Sequence, residues 1–159
     1  METTTRARRV GPEEAATVAA LLDDFQLEFG SPSPGRDELA DRLRRLLAGD
    51  ATVALVVGEP ALGFALMTLR PSVWYAGPVG YLDELYVVPE HRSRGLGGIL
   101  LEAAEDVVRE RGGELLEINV DAADHDTRRF YERHGYTNID QGQTEPSFYY
   151  YRELPADPS

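Results

Sequence analysis

The sequence predicts a mixed α/β domain, a sheet carrying helices on its faces. Two amphipathic helical stretches come first, then two apolar runs joined by a tight turn, and later apolar runs alternate with helical periodicity. The length, 159 residues, is that of one domain. The expectation is a single domain over 1–159, with its core at about 5–154 and a frayed tail from Pro155 to Ser159.

Each element has a local cause. Gly11-Pro12-Glu13-Glu14 marks a helix start, because proline suits the first helical position and glutamates complement the helix dipole. Ala15, Val18, Leu22, Phe25 and Phe29 then recur at helical spacing, to about Gly30. Ser31-Pro-Ser-Pro-Gly35 breaks that helix, and Leu39, Leu43, Leu46 and Leu47 define a second one, ending at Gly49-Asp50. Ala51–Val57 and Ala61–Arg70 read as strands of a hairpin around Gly58-Glu59-Pro60. Residues 71–80 form a loop with the only tryptophan, Trp74. Tyr81–Val88 is a strand stopped by Pro89, and Gly95–Arg111 a helix closed by Gly112-Gly113. Leu115–Val120 is a short buried strand and Asp126–His134 a short helix. The aromatic run Phe148–Leu154 is expected to close the fold as a strand.

Composition narrows the chemistry. Apolar residues make up 42% and charged residues 28%, a globular balance rather than a disordered one. All 16 basic residues are arginine, which excludes Schiff-base chemistry and a phosphate-loop lysine. With no cysteine there is no thiol nucleophile and no thiolate metal site. His91, His125 and His134 match no compact ligand spacing, so no metal is expected. The net charge of -12 repels polyanions and anionic membranes and favours a cationic partner. No apolar run approaches a membrane span, and Met1–Arg9 lacks the apolar stretch of a secretory signal. A soluble cytoplasmic protein that binds neither nucleic acid nor membrane is the expectation.

The informative stretch is Tyr81-Leu-Asp-Glu-Leu-Tyr-Val-Val-Pro-Glu-His-Arg-Ser-Arg-Gly-Leu-Gly-Gly98. A strand ends at proline, and a loop delivers Arg92, Arg94, Gly95, Gly97 and Gly98 to a helix N-terminus. Free backbone N–H groups and the positive dipole end there suit an anion, and two arginines reverse the sign of an acidic chain. A glycine-rich start made for tight helix–sheet packing explains the same pattern. Arg92-x-x-Gly95-x-Gly97 after "LYVVPEH" resembles the acetyl-CoA signature of the GNAT superfamily of N-acetyltransferases, Arg/Gln-x-x-Gly-x-Gly/Ala. A second segment, Asn119 to Tyr136, resembles that family's other coenzyme segment: Tyr131, Gly135 and Tyr136 match, while Asp124 replaces the usual asparagine and Thr127 the usual alanine.

The resemblance implies a mixed, mostly antiparallel sheet whose central parallel strands, 81–88 and 115–120, splay to admit the pantetheine arm of acetyl-CoA. It implies that backbone groups of Leu85, Tyr86 and Val87 hold pantetheine and acetyl carbonyl, with the Val87 amide as oxyanion donor. Ser93, Arg94, Gly95, Leu96, Gly97 and Gly98 would hold the pyrophosphate, with Arg92, Asp124 and Tyr131 as further coenzyme contacts. It also implies a homodimer.

The acceptor expected is a small-molecule amine. A primary amine is only ~0.1% neutral at pH 7, so its nucleophilic form costs ~4 kcal/mol, which a carboxylate base can offset. Asp83 and Glu84 are the candidates, Glu84 preferred. Strand alternation sends them to opposite faces unless a bulge intervenes. Their position also resembles the acidic pair of the polyamine acetyltransferases in that family. Tyr131 is the candidate acid for the departing thiolate. Asp23, Asp24, Glu28, Trp74, Tyr75 and Phe148–Tyr151 are candidates for acceptor specificity. The alternatives are a noncatalytic acyl-CoA-binding module, a nucleotide-binding interaction domain, and acetylation of a protein N-terminus.

Overall fold

The computed structural model describes residues 5–156; the expectations for residues 1–4 and 157–159 lie outside the described residues. The elements are β1 (Ala7–Val10), α1 (Ala15–Glu28), α2 (Arg36–Leu47), β2 (Thr52–Val57), β3 (Gly63–Arg70), β4 (Val79–Val87), α3 (Leu96–Glu110), β5 (Leu116–Ile118) and α4 (His125–Arg133). Residues up to Ile118 form one unit, and those from Asn119 onward a second.

In the first unit the five strands lie in sequence order. The β1–β2, β2–β3 and β3–β4 pairs are antiparallel, and β4–β5 is parallel. This is the mixed, mostly antiparallel sheet expected, but β5 is its edge strand. β5 pairs with β4 only from Gly80 to Leu82, and β4 continues to Val87 without it.

Both faces of the sheet are covered, which is why every residue of β2 is buried. Val18, Ala19, Leu21 and Leu22 of α1 and Ala40, Leu43 and Leu47 of α2 join Ala54, Val56, Phe64 and Tyr86 in one core. The alternate residues face α3. A Cβ at Gly63 would meet Leu100 Cδ1 at 3.3 Å, and one at Gly80 would meet Val108 Cγ2 at 2.5 Å. The helix thus lies directly on β4, and Gly80 is what allows the approach. The 3.6-residue spacing of Leu100, Ala104, Val107 and Val108 supplies the buried stripe.

Two expectations need correction. β1 is absent from the sequence reading because "ARRV" has no apolar alternation. Only Val10 is buried, as suits an edge strand. Conversely, Phe148–Leu154 forms no strand. Phe148, Tyr149, Tyr150, Tyr151 and Leu154 are exposed, and the second unit contains no described strand for them to pair with. Aromatic β-propensity expresses itself only against a neighbouring strand. Tyr149 and Tyr151 instead stack on each other, 6.0 Å between centroids.

Gly80→Ala should overpack the β4–α3 contact and cost about 1–3 kcal/mol, seen as a lower urea midpoint with an unchanged slope.

Candidate active site

The geometry starts from one irregularity in β4. The register with β3 runs Val87, Tyr86, Leu85 and Glu84 opposite Gly63, Phe64, Ala65 and Leu66, then resumes with Leu82 opposite Met67. Asp83 is therefore an extra residue, a β-bulge. Alternation would send Asp83 and Glu84 to opposite faces, and the bulge cancels it. Glu84 shares the face of its partner Leu66, which packs against the α1/α2 core. Asp83 is held to the same face by Thr68, two residues along β3 from Leu66, whose Oγ1 donates to Asp83 Oδ2 at 2.7 Å. Both carboxylates thus share the α1/α2 face.

Their protonation reflects this. Burial pushes the Glu84 carboxyl above its ordinary range, and the neighbouring Asp83 charge adds to the shift. Burial also raises Asp83, against the opposing hydrogen bond from Thr68. Paired carboxylates in which one is tied and the other is kept basic suit proton transfer from a cationic nucleophile.

β4 also presents a free edge. The Gly80 N–H donates to Leu115 O beside β5, and the Val88 N–H donates to Leu62 O beside β3. Alternation past the bulge directs the backbone groups of Glu84 and Tyr86 to β3. Those of Leu85 and Val87 point off the opposite edge, beyond the last β5 pairing at Ile118. The Leu85 and Val87 expectations fit this edge. Tyr86 does not: its backbone faces β3, and its buried ring packs 5.0 Å from Phe25.

The loop after β4 turns on two left-handed residues, Ser93 at φ 62° and Gly95 at φ 83°. For Ser93 that conformation costs about 1 kcal/mol or more. Gly95 is the N-cap of α3, and no side chain caps the helix. The first-turn N–H groups of Leu96, Gly97 and Gly98 therefore have no intrahelical acceptor. Arg94 is exposed and forms no ion pair with a described residue.

Arg92 is placed differently from the expectation that it faces an anion. Its Nη2 lies 2.8 Å from Glu28 Oε1, its Nε donates to Val87 O at 2.9 Å, and its guanidinium stands 5.5 Å from the Tyr86 ring centroid. Glu28, grouped in the sequence with Asp23 and Asp24 as an acceptor contact, is this arginine's partner. Asp23 and Asp24 pair with Arg36 across the α1–α2 connection. Thr68 was missed, although its one signal is a polar residue inside the apolar run of β3.

In the second unit, Asp124 caps α4, accepting from Thr127 N at 3.2 Å and Thr127 Oγ1 at 2.8 Å. That explains the paired departures at 124 and 127: the carboxylate and hydroxyl satisfy each other and the helix start. Tyr131 is buried, edge-on to Phe130 and Tyr136. His134 Nδ1 lies 2.8 Å from Phe130 O. Trp74 is exposed in the loop before β4. Among the described residues no group of three or more His, Asp or Glu could hold a metal ion, and no helix is long and apolar enough to cross a membrane.

The model of the acetyltransferase (GNAT) family matches residues 18–136, and the chain belongs to that family. It is an acyl-CoA-dependent N-acetyltransferase by family and by relatives. The crystal structure of a protein from Arthrobacter sp. FB24, assigned as an acetyltransferase, superposes with a TM-score of 0.91 at 56% identity, covering 97% of this chain and 99% of that one. The aminoglycoside N(6')-acetyltransferase type 1 of Klebsiella aerogenes is 40% identical over 88 residues, 52% of this chain and 57% of that enzyme. The fold alone is shared with AAC(6')-Iy in complex with the bisubstrate analog CoA-S-monomethyl-acetylneamine, with a TM-score of 0.76 at 17% identity over 96% of this chain and 100% of that one.

The raised Glu84 pKa carries a stability consequence. A carboxyl whose pKa is higher folded than unfolded binds its proton more tightly in the native state. It therefore destabilises the fold above that raised pKa and ceases to do so below the ordinary value of 4.5. Glu84→Gln should raise the melting temperature relative to the parent at about pH 8, and the difference should shrink at about pH 4.

Proposed function

We propose that this enzyme transfers the acetyl group of acetyl-CoA to a primary amine of a small cationic acceptor, by direct attack with both substrates bound. The observation that carries the reading is the bulge at Asp83, which sets two carboxylates on one face of the strand whose far edge is unpaired.

Acetyl-CoA supplies the acetyl group as a thioester, already activated toward an amine. The chain's donors fit such a molecule: the Leu85 and Val87 edge offers strand-like hydrogen bonds to an extended amide-bearing arm. The uncapped turn Leu96–Gly98, with exposed Arg94, offers N–H groups and charge to a pyrophosphate. With its carbonyl taken by Arg92, Val87 presents its N–H as a fixed donor for the acyl carbonyl oxygen. Glu84 takes the proton that an ammonium acceptor must lose, and Asp83, tied to Thr68, holds cationic charge beside it. With no cysteine in the chain, transfer through an acyl-cysteine is excluded.

The -12 charge favours a polyamino acceptor, and the aminoglycoside substrate of the Klebsiella relative is of that kind. Thiol release from acetyl-CoA should be screened with spermidine, neamine and an alanine-terminated peptide. Release that depends on either polyamino compound supports the proposal. Coenzyme A binding without release on any amine would favour a noncatalytic acyl-CoA module.

Glu84→Gln should lower kcat by about 10²–10⁴-fold, as loss of a general base does. Asp83→Asn removes the like charge that raises Glu84, so the acid limb of the pH–kcat profile should move to lower pH. Gly97→Trp should abolish coenzyme A binding by calorimetry while the melting transition is kept, because the indole would fill the space over the first turn of α3.

A further inference from the structure

Arg92 opens the glycine motif expected to receive the coenzyme phosphates, yet its hydrogen bonds to described residues are internal. Nη2 meets Glu28 Oε1 at 2.8 Å and Nε meets Val87 O at 2.9 Å, with the guanidinium 5.5 Å from the Tyr86 ring centroid. The Tyr86 hydroxyl stands 3.5 Å from the same Glu28 oxygen. One side chain thus joins the last residue of α1, the last residue of β4 and the loop that opens α3. Glu28 and Arg92 are 64 residues apart in sequence, so nothing local produces the pair.

We propose that Arg92 and Glu28 act together as positioning residues, holding the end of β4 and the phosphate loop at a fixed distance, and that Arg92 does not itself bind the coenzyme. This rests on the reading of the Leu85–Val87 edge as the coenzyme's. The guanidinium is suited to the task because its planar fork serves two acceptors at once, a carboxylate on one nitrogen and a peptide carbonyl on another. An ammonium offers its donors from one atom and lacks the fixed fork that sets Nε and Nη2 on the two acceptors. By occupying the Val87 carbonyl, Arg92 leaves the Val87 N–H as the group that β4's end presents. By anchoring on Glu28, it makes the C-terminal end of α1 part of the same support. The charge left for an anion at this loop is then Arg94, which is exposed and forms no ion pair with a described residue.

Positioning and phosphate binding make opposite predictions for Glu28. If Arg92 bound phosphate, Glu28 would compete for it, and Glu28→Gln would leave coenzyme binding unchanged or tighter. If the two residues position β4, Glu28→Gln must reproduce the Arg92 defect. The test compares wild type, Glu28→Gln, Arg92→Gln, the double variant and Arg92→Lys by calorimetry with coenzyme A. It adds kcat and KM for acetyl-CoA with whichever of spermidine or neamine the wild type acetylates. Both side chains reach solvent, 41% exposed for Arg92 and 28% for Glu28, so the variants should fold, and melting curves verify it.

The expected result is the same defect in both single variants, with kcat down about tenfold or more from misplacement and the double variant no worse than either. Coenzyme affinity should change equally in both, and Arg92→Lys should fail to restore kcat. Any one of three results overturns the proposal: Glu28→Gln behaving as wild type, additive effects in the double variant, or Arg92→Lys restoring both affinity and rate. If the wild type itself gave no heat with coenzyme A, the functional reading would fall first and this one with it. If wild type binds but acetylates neither amine, calorimetry decides: equal, non-additive changes support the pair, and a loss confined to Arg92→Gln overturns it.

Discussion

The site depends on one extra residue in β4. Without the bulge at Asp83, Asp83 and Glu84 would face opposite sides of the sheet, one against the α1/α2 face and the other toward α3. With it, two carboxylates share a face, and Thr68 ties one while burial and like charge keep the other basic. The same shift sets which backbone groups of β4 turn to β3 and which point off the edge. One residue of register therefore fixes the face on which both carboxylates lie and the edge to which the backbone groups turn.

That arrangement is stressed locally and stable globally. Two neighbouring carboxylates with raised pKa values oppose folding at neutral pH, and Ser93 holds a left-handed backbone. Against this stands a sheet covered on both faces, with Phe64 and Met67 of β3 and Leu100 and Leu101 of α3 among the fully buried side chains. Each such side chain contributes roughly 1.5–3 kcal/mol by burial, enough to hold strained functional groups in place.

Much of this was legible in the sequence because it is local. Helical spacing in α1, α2 and α3, the β2–β3 hairpin and the glycine loop after Pro89 each show within a short window. The strand–loop–helix passage from Tyr81 to Gly98 shows in the sequence the uncapped helix start that the structure has. What was not legible is pairing. The bulge is a relation between β3 and β4, and the Glu28–Arg92 pair joins residues from different elements. β1 carries only one buried side chain, so no periodicity announces it. The Phe148–Tyr151 run failed in the opposite sense: its residue types favour a strand, but a strand forms only where an edge receives it.

The central claim is that the outer edge of β4 and the first turn of α3 hold the coenzyme together. Hydrogen–deuterium exchange of the intact chain, with and without saturating coenzyme A, tests it most directly. The account predicts slower exchange in two places, the amides of Leu85 and Val87 and those of Arg94–Ile99, since the first lie on an unpaired edge and the second include an uncapped turn. Protection confined to other segments, or bound coenzyme with no change at either place, would contradict it.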